Sequence, residues 1–168
     1  PDQVTLVPDD PGQGTSDHGW DIVAHNGLLK DVIARLKAGG MRVSLFVDPD
    51  PYGPELARPV GADRIEIYTG PYGGALEPQR ARRELERIAA TGQAAAEAGI
   101  GLNAGHDLTQ ANLPPLVEAL PNRLEVSIGH AVIVRRRMGR RPRKVGTAPV
   151  GPRRRASAPR KSRTAPIH

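Results

Sequence analysis

Along the chain, short runs of apolar and β-branched residues alternate with longer stretches in which apolar residues recur every three or four positions. Five runs read as strands: Val4–Val7 (VTLV), Arg42–Asp48 (RVSLFVD), Arg64–Gly70 (RIEIYTG), Gly101–His106 (GLNAGH) and Arg123–His130 (RLEVSIGH). Between the first two, Leu28, Leu29, Val32, Ile33 and Leu36 keep helical spacing, and Gly39-Gly40 predicts the stop. The stretch from Glu77 to Ala98, rich in Ala, Arg and Glu with Leu85 and Ile88 on one face, predicts a long helix closed by Gly99. Thr109 to Leu120 predicts a short helix beginning after a cap. Pro51 to Val60 predicts a short helix at best, broken by Gly53 and Pro54, and GPYGG at Gly70–Gly74 reads as a flexible loop over the mouth of the fold.

Strand and helix in alternation imply parallel strands joined by right-handed crossovers, hence an α/β fold. Two architectures satisfy the pattern, an open doubly wound sheet and a (β/α)8 TIM barrel. No G-x-G-x-x-G turn opens a helix, and polar residues gather at the C-terminal ends of several strands, which favours the barrel. With 168 residues against the roughly 250 of a complete barrel, the expectation is an incomplete one.

Charge divides the chain. The net charge of +6 averages an acidic segment and a basic one: residues 135–168 hold 13 Lys or Arg and no Asp or Glu, leaving 11 basic against 18 acidic residues in the first 134. The tail carries repeated proline and almost nothing apolar to bury, so it is expected to be disordered, a segment apart from a folded domain over 1–134. Thirteen positive charges would attract nucleic-acid phosphates with steep salt dependence, but without aromatic residues for stacking the attraction is non-specific. The chain has no cysteine, which excludes disulfides and thiolate metal sites, and no apolar run near the roughly 20 residues of a membrane span. A soluble, intracellular protein is expected.

Five positions carry candidate chemistry. Glu66 alternates with Ile65 and Ile67 in a strand expected to be covered on both faces, where a carboxylate is costly unless a ligand or partner meets it; in an antiparallel sheet it would simply face water. His106 and His130 each follow a glycine at a strand's C-terminal end, where barrels assemble active sites and where imidazole serves as a general acid near neutral pH; a structural role is the competing reading. Gly129, His130 and Ala131 stand where strand gives way to helix, an anion site or else only a tight turn. No Asp/His cluster has metal-ligand spacing, so no metal is expected.

In order and spacing, VPDDPGQGTSDHGWDI, VSLFVDPD, IEIYTGPYG, LNAGHDLT and VSIGHAVI resemble the pyridoxine 5′-phosphate synthase family, from about Val4 to Ile133. The resemblance implies strands four to eight of a TIM barrel in a cytoplasmic, octameric transferase-type synthase of vitamin B6 biosynthesis that needs no metal or organic cofactor. Such an enzyme condenses 1-deoxy-D-xylulose 5-phosphate with 3-amino-2-oxopropyl phosphate. It also implies roles: His106 as proton donor, Glu66 as the carboxylate that stabilises the transition state, Thr15 as a contact to the deoxyxylulose phosphate, and Asp107, Gly129 and His130 at the aminooxopropyl phosphate. Asp107 stands where some members have glycine, so its contact is expected from the backbone. The family's first three strands, with a histidine and a glutamate that act as bases, have no counterpart here, so this chain alone is expected to be inactive. Beyond Val134 the Arg/Pro composition replaces an amphipathic helix, as a shifted reading frame would. Another phosphosugar-binding barrel is the alternative reading.

Overall fold

The computed structural model describes residues 1–9, 12, 14–121 and 124–127; the expected basic tail and the boundary at 134/135 lie outside them, as do Gly129 and His130. The described elements run β1 (Gln3–Leu6), α1 (Asn26–Ala38), β2 (Arg42–Val47), α2 (Tyr52–Ala57), β3 (Arg64–Tyr68), α3 (Gly70–Gly73), α4 (Pro78–Glu97), β4 (Gly101–Gly105), α5 (Leu113–Ala119) and β5 (Leu124–Ser127). The five strands form one sheet in the order β1-β2-β3-β4-β5, and every pair is parallel.

The register sorts side chains by face. Val4 lies beside Val43, Leu6 beside Leu45, Leu45 beside Ile65 and Ile65 beside Leu102, while Val47 lies beside Ile67 and Ile67 beside Ala104, which makes one face apolar. Helices cover it: Leu29 and Ile33 of α1, Ala57 of α2, Ile88 and Ala95 of α4 and Leu116 of α5 join those strand residues in one core. Each large aliphatic residue so buried contributes about 1.5–3 kcal/mol of transfer free energy. The alternate rows are polar: Thr5, Ser44, Arg64 and Gly101 in one, Phe46, Glu66, Asn103 and Glu125 in the next.

That polar face is concave. Arg42 of β2 donates from Nη2 to both carboxylate oxygens of Glu125 of β5 at 3.1 Å, although three strand spacings of about 4.8 Å would hold the strands roughly 14 Å apart in a flat sheet. The sheet therefore curls with Arg42 and Glu125 inside. Because the strand order never reverses, right-handed crossovers place every helix on the convex side. An open doubly wound sheet would reverse its order and carry helices on both faces. The architecture is thus a parallel half-barrel, consistent with an incomplete TIM barrel.

Three local expectations change. Gly53 and Pro54 do not break α2, because both lie in its first turn, where backbone N–H groups have no intrahelical acceptor and proline costs no hydrogen bond. GPYGG is not a flexible loop: Gly70–Gly73 forms the helical turn α3, with Gly70 and Tyr72 buried and the Tyr72 hydroxyl donating to the Asn112 carbonyl at 2.7 Å. The last described helix starts at Leu113 rather than Thr109, because Thr109 and Asn112 close a turn on themselves, Thr109 N donating to Asn112 Oδ1 at 2.6 Å. Among the described residues no helix is long and apolar enough to cross a membrane.

Candidate active site

Glu66 takes the inner face of β3 because Ile65 and Ile67 take the outer one. It is 8 % exposed, and the Thr5 hydroxyl of β1 donates to its Oε2 at 2.9 Å. A carboxylate there needs such partners, since isolated burial of a charge is costly.

His106 follows the last residue of β4 and has φ +92°, and Asp107 has φ +55°. Two successive left-handed residues that are not glycine cost about 1–3 kcal/mol each and persist only where neighbours hold them. Thr69 is the main holder. Its amide donates to the Gly105 carbonyl at 2.9 Å, and its buried hydroxyl is shared between the carbonyls of Gly105 (2.7 Å) and His106 (2.6 Å). Asn112 Nδ2 donates to the Asp107 carbonyl at 3.2 Å, and Gly73 comes so close that a Cβ there would stand 2.5 Å from that oxygen.

The kinked backbone presents the imidazole to three side chains. Its Nε2 lies 2.8 Å from Thr15 Oγ1, and its Nδ1 lies 3.2 Å from Asp107 Oδ2 without hydrogen-bond alignment. The ring meets Tyr68 edge to face at 5.2 Å and 80°, and Tyr68 in turn leans on Phe46 at 5.4 Å. Burial pushes the Tyr68 phenol above its ordinary pKa, and the carboxylates of Asp107, Asp17 and Asp48 push it further. The loop carrying Thr15 is pinned to the strand ends at its far side. There Gly19 N donates to Asp48 Oδ1 (3.1 Å), Trp20 N to the Phe46 carbonyl (2.9 Å) and Trp20 Nε1 to the Leu6 carbonyl (2.9 Å).

Of the residues singled out in the sequence, Thr15, His106 and Asp107 come together, and Glu66 shares their polar face one row below Tyr68. Gly129 and His130 lie outside the described residues. Tyr68, Thr69 and Asp48 are site residues that the sequence does not single out. The alternation of IEIYTG places Tyr68 on the face of Glu66, but nothing in the sequence pairs it with a residue 38 positions later. Among the described residues no three Asp, Glu, His or Cys side chains gather as metal ligands.

Residues 1–138 match the family described as pyridoxal phosphate biosynthesis protein PdxJ. Proteins named pyridoxine 5′-phosphate synthase are similar: one from Brucella anthropi is 59% identical over 133 residues, and one from Allorhizobium ampelinum is 60% identical over 135. A third, from Brucella abortus, is 56% identical over 133 residues. Each match covers 79% of this chain and 54% of the relative, so the chain spans about half the length of the curated relatives it matches.

Proposed function

Because the chain belongs to the PdxJ family of pyridoxal phosphate biosynthesis proteins, we propose that it contributes the acid side of a pyridoxine 5′-phosphate synthase site. The substrates in this reading are 1-deoxy-D-xylulose 5-phosphate and 3-amino-2-oxopropyl phosphate, and phosphate and water leave. The observation that supports it most is the His106 imidazole, set by a strained backbone at a strand's C-terminal end with Nε2 on the Thr15 hydroxyl. A substrate hydroxyl brought within reach of Nε2 beside Thr15 would take the Nε2 proton and depart as water with the electron pair of its C–O bond, leaving the imidazole one proton poorer. Glu66, inside the half-barrel, supplies a fixed negative charge against positive charge that develops in the transition state. Thr15 contacts the deoxyxylulose phosphate, while Asp107, through its backbone, joins Gly129 and His130 at the aminooxopropyl phosphate. The residues assigned here work with no metal or organic cofactor. A cytoplasmic octamer belongs to the same reading.

The acid has a base as its complement, and no residue of this chain is assigned that part. A polypeptide of these 168 residues alone is therefore expected not to turn over the two substrates. The test assays it alone and joined to the N-terminal half of a relative, with His106→Ala in the joined protein. Loss of about 10²- to 10⁴-fold in kcat on that substitution is expected. Turnover by the unaided chain, or a joined protein indifferent to His106→Ala, would defeat the assignment.

A further inference from the structure

The proposed acid is held from one side by a residue with no assigned part in the chemistry. We propose that Tyr68 is a positioning residue for His106: its ring, wedged between Phe46 and the imidazole, sets the ring plane that aims Nε2 at the Thr15 hydroxyl. The functional consequence rests on the reading of His106 as proton donor, but the positioning does not.

Four observations carry it. The two rings meet at 5.2 Å and 80°, within the range that favours edge-to-face aromatic pairs. Tyr68 is itself braced, because Phe46 is buried and lies 5.4 Å behind it. Gly70 leaves the room Tyr68 occupies: a Cβ on Gly70 would stand 2.3 Å from the phenol oxygen and 2.4 Å from Cε2 and Cζ, so no larger residue fits while Tyr68 keeps this place. Finally, the backbone of His106 is fixed by Thr69, which leaves the side-chain torsions as the freedom still to be restricted. Thr15 and Asp107 each touch one nitrogen, at the imidazole rim; Tyr68 is the aromatic neighbour that blocks rotation of the ring itself. Burial, with the charges of Asp107, Asp17 and Asp48 adding to it, holds the phenol proton more tightly than usual, so the part Tyr68 plays here is that of a wall and not of a proton source.

The experiment uses the whole chain with ¹⁵N-labelled histidine, read by NMR at one pH, with circular dichroism to confirm an unchanged fold. Tyr68→Leu removes the wall, Tyr68→Phe keeps the ring without its hydroxyl, and Gly70→Ala displaces Tyr68 without deleting it. Expected is a changed balance of Nδ1 and Nε2 signals for His106 in Tyr68→Leu and Gly70→Ala, with Tyr68→Phe retaining the parent pattern. Unchanged His106 signals in both Tyr68→Leu and Gly70→Ala would overturn the proposal, as would loss of the pattern in Tyr68→Phe. In the joined enzyme Tyr68→Leu should lower kcat about ten- to a hundredfold with little change in KM, because misplacement of a reacting group acts on the transition state. If His106→Ala leaves turnover intact while the NMR pattern still follows the Tyr68 ring, the functional reading fails and the positioning stands.

Discussion

Thr69 shows how much a single hydroxyl can hold in place. Its oxygen is shared between two carbonyls at the point where β4 turns left-handed, so Thr69→Val keeps the shape and removes the donor. Thermal or urea unfolding should register a loss of about 1–3 kcal/mol, as expected when a buried acceptor is left unpaired. A loss below a few tenths would mean that the His106–Asp107 kink holds itself. Tyr68 and Tyr72 make a prediction about pH. Burial raises both phenols above the ordinary 10.0, with nearby carboxylates adding to the effect at Tyr68. A group whose folded pKa is raised favours the folded state fully below its unfolded pKa, and that contribution disappears as pH climbs through the folded value. Stability should therefore hold to about pH 10 and fall above it, and the native protein should form phenolate at higher pH than the urea-unfolded chain. Coincident phenolate titrations of the folded and unfolded chain would refute this.

Between elements, Asp63 at the entry to β3 is the clearest tie. Its carboxylate accepts from Lys37 of α1 at 2.6 Å and from the backbone N–H of Val43 of β2 at 2.9 Å. Burial acts to raise its pKa, but the Lys37 and Val43 hydrogen bonds and the charges of Lys37 and Arg42 together outweigh it, so the carboxyl ends below its ordinary 3.8. For a depressed carboxylate the stabilisation is present above pH 3.8 and is lost as pH falls through the folded value. Asp63→Asn should thus lower the melting temperature at pH 7 and matter less near pH 2; equal effects at both would count against the carboxylate as the cause. The same tie shows what periodicity misses. The strand and helix patterns were legible because a covered sheet face and a buried helix stripe impose periods of 2 and 3.6 on the sequence. The turn at Thr109–Asn112 closes over only four residues and is too short to impose one, and the helical turn α3 is held by Asn112, 40 positions away.

For the molecule as a whole, the network that crosses the concave face decides how curvature is held. The Arg64 side chain is 11 % exposed, donates to Asn103 Oδ1 and the Leu102 carbonyl, and has Glu125 at 3.6 Å as its counter-charge. Burial lowers its pKa, Glu125 opposes that, and Arg42 reinforces it. Glu125→Ala leaves this guanidinium without its carboxylate, whereas Arg42→Ala removes only the half-exposed partner of the pair. Arg42→Ala should cost about 0–1 kcal/mol, and Glu125→Ala clearly more. Denaturant midpoints for the two single variants measure the difference, and equal losses would mean that Arg64 does not depend on Glu125.

By itself the sequence determined the alternation of five strands with helices, the α/β class, the strand face that Glu66 shares with Tyr68 and the place of His106 at a strand end. These follow from local periodicity and from where polar residues interrupt it, and five short motifs in order were enough for the family resemblance. Only the tertiary structure decided that the sheet curls with its polar rows inside, that Thr15 reaches His106 across 91 residues, and that Tyr68 walls the imidazole. The reason is that contacts between side chains far apart in sequence arise from strand register and curvature, which no local period encodes.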